Sequence, residues 1–407
     1  MRRAPMWLLA LNVTLIMQIS SAFLAQSMAV LGPTLTDAAG VAPERIGYLS
    51  ALISLGTLWF LASGHVLLAR WGSVRVLQLG GVLGAVAVLL ALSGSWNAMS
   101  VAALGMGLAY GPAPPAGSDI LMRHAPRERR ALIFSIKQAG APFGSAAAGL
   151  MLPAIAAVWD WRWALVATAA VSALSSVLVE PWRPAIDVER RAGGQRAVLA
   201  ELFSPRAVIL PFRVIAARRG LLWLSCTGFS FACVQGCLFS FYDTYLTSLG
   251  VSLAAAGTAF AVLQAVGMVA RVAMGFFADR MGSAVYTLIL LGAGSSLAAV
   301  LAAALSFALP WLLVLAVSGV IGFIGVSWNG VFLAEVARLA PEGRVGEVTS
   351  GATLLTFLGY VVGPAAFSEL VPLLGGYGAC FLAVAVLPLI SAAVLQRVRA
   401  ISEEPAR

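Results

Sequence analysis

Long apolar stretches alternate with short polar ones along the whole chain of 407 residues. A run of about eighteen or more apolar residues is long enough to cross a bilayer as a helix. Twelve such runs can be counted, and we name them spans 1 to 12 in chain order. Their approximate limits are 6–31, 46–68, 74–92, 97–122, 131–155, 161–179, 219–247, 254–278, 283–304, 310–336, 348–371 and 377–397. The pattern predicts an all-α membrane protein with twelve transmembrane helices.

The longest polar stretch, residues 181–218, separates six spans from six. It contains Gly193, Gly194 and four prolines, a composition typical of a linker. We therefore predict an N-terminal six-helix bundle over 1–180, a linker over 181–218, and a C-terminal six-helix bundle over 219–407.

Charge orients the predicted spans. The chain is 60% hydrophobic and only 11% charged, with a net charge of +9. If the N-terminus is cytoplasmic, 22 of the 26 basic residues fall on the cytoplasmic side and only Arg45 and Arg162 fall outside. This asymmetry follows the positive-inside rule. It predicts a multi-pass protein of the bacterial inner membrane with both termini and the linker in the cytoplasm. The basic charge is then no sign of a nucleic-acid partner.

The two halves carry related segments. ARWGSVRVL follows span 2 from Ala69, and DRMGSAVYTL follows span 8 from Asp279. An acidic residue near the end of spans 4 and 10, Asp119 and Glu335, is followed in each half by Ala-Pro and a glycine-containing helix. Repeats related by an axis along the membrane normal are typical of alternating-access carriers.

The segment GFFADRMG, 275–282, resembles the loop signature of the major facilitator superfamily, Gly-x-x-x-Asp-Arg-x-Gly. In the first half, Ala69 stands in place of the Asp and His65 in place of the first Gly. The resemblance implies two pseudo-symmetric six-helix bundles around a central cavity lined by spans 1, 2, 4, 5, 7, 8, 10 and 11. It also implies a monomeric transporter that is not an enzyme and uses no cofactor.

Two basic residues fall inside spans, where a charge costs about 2.5–3.5 kcal/mol or more. Lys137 lies about 10 Å into span 5, and Arg271 lies about 12 Å into span 8 from the same side, at about 1.5 Å per residue. The implied fold places these spans side by side, so an anion between the two cations would relieve their repulsion. Alternatives are a salt bridge from Arg271 to Asp243 or Glu369, and snorkelling of Lys137 to the interface.

The segment MVARVAMGFFAD, 268–279, resembles the eighth helix of the monocarboxylate porters and the oxalate–formate exchanger. Arg271 matches the arginine that binds the substrate carboxylate in those families. Gly267 stands where the porters carry an Asp, and the lysines of their first helix and of the exchanger's eleventh helix are missing. The resemblance implies a small organic anion, such as a monocarboxylate, as substrate.

Lys137 is the only lysine among the 26 basic residues. Lysine can lose its proton, whereas arginine effectively cannot. We therefore expect Lys137 to exchange a proton during symport, with Asp243 as a second proton-coupling candidate.

Further polar residues complete the candidate site. Those expected to line the cavity with the two cations are Gln138, Gln264, Tyr110, Asn329 and Tyr360. A gating role is expected for ion pairs at the cytoplasmic ends of the spans, Asp119 with Arg70 or Arg75 and Glu335 with Arg280, next to Asp279 of the signature. The alternative for these pairs is a solvated surface contact of little energetic effect.

Local sequence also predicts helix geometry. Pro112, Pro114 and Pro115 should kink span 4. A close approach of span 5 to a neighbour is expected from Gly140, Pro142, Gly144 and Gly149.

Two other functions compete with anion uptake. The first is drug/proton antiport by the same fold, since GAPFGSAAAG, 140–149, partly resembles the Gly-Pro motif of antiporters. Its cationic drugs usually require acids in the cavity, however, and the two candidate residues here are basic. The second is an intramembrane sensor or enzyme. The spans contain no Ser/His/Asp set and no metal-ligand cluster, and the chain has no Walker-type loop for ATP.

Overall fold

Helices account for all the regular structure in the described part of this computed structural model, residues 5–187, 205–306, 308–341 and 344–403. Residues 188–204 of the predicted linker lie outside the described residues, as do both chain ends. The chain forms two compact units. Unit 1 comprises Met1–Pro43 and Leu52–Ala207, and unit 2 comprises Glu44–Ala51 and Val208–Arg407.

Unit 1 contains spans 1 and 3 to 6 and most of span 2. In chain order the helices are Met6–Val30, Gly32–Ala38, Ile46–Ser63, His65–Trp71, Ser73–Leu90, Trp96–Tyr110, Ala113–His124, Arg130–Val158, Trp161–Leu178 and Arg183–Ile186. The first turns of span 2 belong to unit 2.

Unit 2 contains spans 7 to 12, preceded by a helix that follows the linker. Its helices are Pro205–Ala216, Arg219–Ser248, Leu253–Met281, Ala284–Ala303, Trp311–Gly325, Asn329–Leu339, Val345–Leu374 and Tyr377–Glu403.

Eleven helical segments among the described residues are long and apolar enough to cross a membrane. The twelfth predicted span, span 4, consists of two shorter helices that meet at Gly111 and Pro112. Both junction residues keep right-handed helical dihedral angles, so the helix is kinked rather than unwound. Prolines cause this because they carry no N–H and clash with the preceding turn. The predicted kink of span 4 is confirmed.

Glycines bring the helices of each unit into close contact. In span 5 a Cβ at Gly144 would lie 3.0 Å from the Ile19 carbonyl carbon of span 1, so the predicted close approach of span 5 is present. In span 4 a Cβ at Gly107 would lie 2.7 Å from the Ile53 carbonyl carbon of span 2. Small residues that let helix backbones approach are the usual interface of membrane helices, where van der Waals packing replaces the hydrophobic effect.

Large apolar side chains also cover the outer surface of the helices. Val101 is 62% exposed, Leu174 66% and Phe276 73%. Such a surface is unfavourable in water and suits a lipid environment. Buried polar residues, by contrast, concentrate inside each unit, and the candidate site is built from them.

Candidate functional site

Arg271 lies on span 8 beside a break in span 10. The helix Trp311–Gly325 ends at Val326, whose φ of −126° departs from helical values, and the chain resumes a helix at Asn329. The half-buried Arg271 side chain donates a hydrogen bond from Nε to the Val326 carbonyl oxygen over 3.2 Å. One of the carbonyls released by the break thus holds the guanidinium group in place.

Gly267 keeps space for this break. A Cβ at Gly267 would overlap the Val326 side chain and would lie 3.1 Å from the Gly322 carbonyl oxygen. An aspartate at this position, as in the monocarboxylate porters, would therefore require the Val326 side chain to turn aside and the Gly322 carbonyl to shift slightly. The departure from the porter sequence has a packing reason in this chain.

Three carboxamide side chains belong to the same region of unit 2. Gln235 of span 7 accepts hydrogen bonds at Oε1 from Trp328 Nε1 at 2.9 Å and from Asn329 Nδ2 at 3.4 Å. Gln264 of span 8 is 1% exposed, and neither its Oε1 nor its Nε2 has a hydrogen-bond partner among the described residues. An unpaired buried amide costs free energy, so this pair of atoms requires an explanation.

The ring of Tyr360, on span 11, lies against span 7 next to Gln235. A Cβ at Gly236 would be 3.1 Å from Tyr360 Cδ1, and the ring packs edge-on against Phe357 with centroids 5.5 Å apart. Four of the predicted lining residues, Arg271, Gln264, Asn329 and Tyr360, are thus carried by the helices of unit 2.

Lys137 is buried in unit 1. Its side chain is 2% exposed and packs on the second helix of span 4, where a Cβ at Gly117 would lie 2.6 Å from Lys137 Cε. The ammonium group is 3.4 Å from Oε1 of the exposed Gln138. Lys137 therefore does not reach solvent by snorkelling in this structure. Tyr110 ends the first helix of span 4. Because Lys137 and Arg271 belong to different units, their proximity stays a prediction.

The Asp119 pair differs from the expected one. Its carboxylate contacts Arg123, one turn further along the same helix, and the Ser73 hydroxyl. The expectation of Arg70 or Arg75 as partner is wrong for this structure, because Arg123 is the nearer cation in sequence and on the same face. Arg75 pairs instead with Glu180, with 3.5 Å between Arg75 Nη1 and Glu180 Oε2.

The Glu335 pair is local as well. Glu335 is 2% exposed, and its two carboxylate oxygens accept hydrogen bonds from Arg338 Nε at 2.7 Å and Arg338 Nη2 at 2.6 Å. The expected pair with Arg280 is not the one formed, since Arg338 offers a two-pronged contact three residues away. Asp279 and Arg280 are exposed at the end of span 8.

The two acids considered as partners of Arg271 have different surroundings. Glu369 accepts a hydrogen bond from the Tyr48 hydroxyl, and both residues belong to unit 2. Asp243 is 1% exposed, and within the described residues neither of its carboxylate oxygens has a hydrogen-bond partner.

Sequence reasoning missed the break in span 10 and an acid at the start of span 3. Asp187 accepts hydrogen bonds from the backbone N–H groups of Val74, at 3.0 Å, and Arg75, at 2.9 Å. Gly72, with φ of +87°, turns the chain just before this helix. The glycines of span 10 are a local signal for the break. No local pattern predicts the contact of Asp187 with the start of span 3, because the two segments are far apart in sequence.

The described residues contain no group of three or more His, Cys, Asp or Glu side chains that could hold a metal ion. Long apolar helices, a broken helix and buried polar side chains together define a multi-pass membrane transporter. The major facilitator superfamily profile matches residues 14–364, and the chain belongs to this family.

Relatives agree with this assignment. The chain is 26% identical over 365 residues to an MFS-type transporter of Mycobacterium tuberculosis (strain CDC 1551 / Oshkosh), covering 86% of this chain and 76% of the relative. Two solved structures share the fold at low identity. A mutant of the nucleoside transporter NupG superposes with a TM-score of 0.76 at 14% identity, covering 96% of this chain and 99% of NupG. A mutant of the peptide transporter POT in complex with sulfate superposes with a TM-score of 0.76 at 16% identity. The match covers 96% of this chain and 94% of POT.

Proposed function

We propose that this transporter takes up a small organic anion together with a proton by alternating access. The observation that carries the proposal is the position of Arg271, whose Nε is anchored at the break of span 10. Charged residues inside spans are costly and mark substrate pathways. Broken helices supply substrate and ion sites in secondary transporters.

Arginine suits a carboxylate because its planar group offers two parallel hydrogen bonds. The resemblance of 268–279 to porters of small carboxylates supports the same assignment. Lys137, buried in unit 1, would supply a second positive charge to the anion.

Proton coupling rests on two buried titratable groups. Lys137 is the one lysine of the chain and is able to release its proton, unlike arginine. The Asp243 carboxyl has no hydrogen-bond partner among the described residues, which suits a group that binds and releases a proton. The further proposed roles are gating by Asp119 and Glu335, and a location in the bacterial inner membrane with both termini in the cytoplasm.

A proteoliposome assay tests the anion site. The purified protein would be reconstituted with an inward proton gradient, and uptake of radiolabelled lactate, oxalate and a lipophilic cation would be compared. Arg271→Gln should reduce anion uptake by about 10²-fold, because a charge-assisted bidentate contact contributes about 3 kcal/mol. Arg271→Lys keeps the charge but loses the two-pronged contact, so it should remain strongly impaired. Arg218→Gln, at an exposed arginine, is the matched control.

Three outcomes would contradict the proposal. Unchanged anion uptake by a folded Arg271→Gln protein would contradict the proposal that Arg271 binds the substrate carboxylate. Transport of the lipophilic cation, with neither anion moved, would favour drug/proton antiport. Equal anion uptake with and without the proton gradient would contradict proton coupling and leave anion transport supported.

A further inference from the structure

Gln264 is a buried polar side chain on the same helix as Arg271. It is 1% exposed on span 8, and both its amide oxygen and its amide nitrogen lack hydrogen-bond partners among the described residues. A carboxamide offers one acceptor and two donor hydrogens. In a low-dielectric interior such a group lowers the stability of the protein unless a ligand or water completes its hydrogen bonds.

Helix geometry places Gln264 on the same face of span 8 as Arg271. The residues are seven apart, which is two turns, and Phe260 lies one turn earlier on that face. The Arg271 Nε bonds the carbonyl of Val326, whose side chain lies against Gly267. Gly267 is three residues from Gln264, or about 4.5 Å along the axis.

The register of spans 7 and 8 brings a second amide to the same level. The rings of Phe239 and Phe260 meet edge-on with centroids 5.9 Å apart. Gln235 lies one turn before Phe239, and Gln264 lies one turn after Phe260. The two helices run in opposite directions. Both glutamines therefore lie one turn from the ring contact toward the same end of the helix pair, each on the helix face that bears the ring.

Span 10 contributes a third carboxamide side chain, that of Asn329, which donates a hydrogen bond to Gln235. Gln264, Gln235 and Asn329 are all uncharged, and all can donate as well as accept hydrogen bonds. A ligand held by Arg271 through a carboxylate would therefore meet neutral hydrogen-bonding groups next to that carboxylate. Hydroxyl groups match such amides because each also donates and accepts.

We propose that Gln264 determines specificity by binding a substrate hydroxyl, so that the transported anion is a small hydroxylated carboxylate with its carboxylate on Arg271. This inference rests on the anion transport proposed above. A plain alkyl acid would leave Gln264 unpaired in its complex, and a hydroxy acid would not.

Three-carbon acids provide a matched test, because propionate, lactate and glycerate carry zero, one and two hydroxyls on the same chain with the same charge. Each would compete with uptake of radiolabelled propionate into proteoliposomes. The wild-type protein should prefer glycerate over lactate over propionate, with about a three- to tenfold gain at the hydroxyl that Gln264 binds. Gln264→Met removes the amide but nearly keeps the shape. It should lose that gain, so that the acid whose extra hydroxyl Gln264 binds no longer inhibits more strongly than the acid without it. Thr258→Val removes a hydroxyl bonded within the same helix and serves as control.

The outcomes separate this inference from the proposed function. Equal inhibition by the three acids in wild type, with uptake still dependent on Arg271, overturns the role of Gln264 alone. A Gln264→Met protein that keeps the wild-type order of the acids also overturns it. If wild type takes up none of the acids and none inhibits, the proposed anion transport has failed, and the role of Gln264 fails with it.

Discussion

The contact between spans 8 and 10 depends on the absence of a side chain at Gly322. A Cβ at this position would lie 2.8 Å from the carbonyl carbon and 3.0 Å from the Cα of Leu263. Both atoms belong to the backbone and cannot turn aside as a flexible side chain would. We predict that Gly322→Ala forces the two helices apart next to the Arg271 site.

The size of the effect follows from the distances. Non-bonded carbon atoms prefer a separation of about 3.5–4.0 Å, so the helices must move by roughly 0.7 Å or more. Overpacking of this kind costs about 1–3 kcal/mol. Gly319 provides a control one turn earlier in the same helix, because a Cβ there would lie 3.5 Å from Val266 Cγ2, an ordinary contact. Both changes carry the same gain in helix propensity.

Thermal unfolding of the purified protein in detergent measures the difference. The Tm should fall by about 1 °C for each kcal/mol lost in Gly322→Ala, given the length of the chain. Gly319→Ala should match or exceed the wild-type Tm. Anion uptake should decline in Gly322→Ala as well, since the displaced helix carries the Val326 carbonyl that holds Arg271. Equal stability and equal uptake for the two variants would refute the close contact.

Three further changes test other parts of the structure. Lys137→Arg should bind anion but lose stimulation of uptake by an inward proton gradient; full gradient-driven accumulation would exclude Lys137 as the proton carrier. Asp187→Ala should lower stability by about 1–2 kcal/mol in thermal unfolding, because the first N–H groups of span 3 lose their acceptor. An unchanged Tm would show that water replaces the carboxylate. Reporter fusions after Arg219 and after Arg407 should both report a cytoplasmic location, and a periplasmic signal at either would contradict the six-plus-six topology.

The helical fold and the family could be predicted from the sequence because their signals are local and repeated. Apolar length marked the spans, and the signature around Asp279 with the helix count indicated the superfamily, which the match over 14–364 confirms. The kink of span 4 followed from Pro112, Pro114 and Pro115, because a missing N–H acts on its own helix.

Contacts between distant segments could not be predicted in this way. Many side chains are within reach of a charged residue, and packing decides among them. The sequence predicts partners for Asp119 and Glu335 on other helices. In the structure each of the two acids pairs with an arginine of its own helix. At the break of span 10, Val326 lies against Gly267 of span 8, a contact between helices that no spacing rule describes.

The fourth helix of each half is interrupted, but the two interruptions differ in whether they can be reversed. The residues at the kink of span 4 include Pro112, Pro114 and Pro115, and a proline nitrogen has no hydrogen to give in any conformation. Helical hydrogen bonds at those positions are lost for good.

The break of span 10 has no proline. Val326, Ser327 and Trp328 all carry an N–H, so the helix could close through the break without any chemical obstacle. The Val326 carbonyl would then accept a backbone N–H along the helix axis, which changes its direction relative to Arg271. The repeat thus combines a permanent bend in one half with a segment in the other half that is able to rewind, and rewinding would change the grip on Arg271.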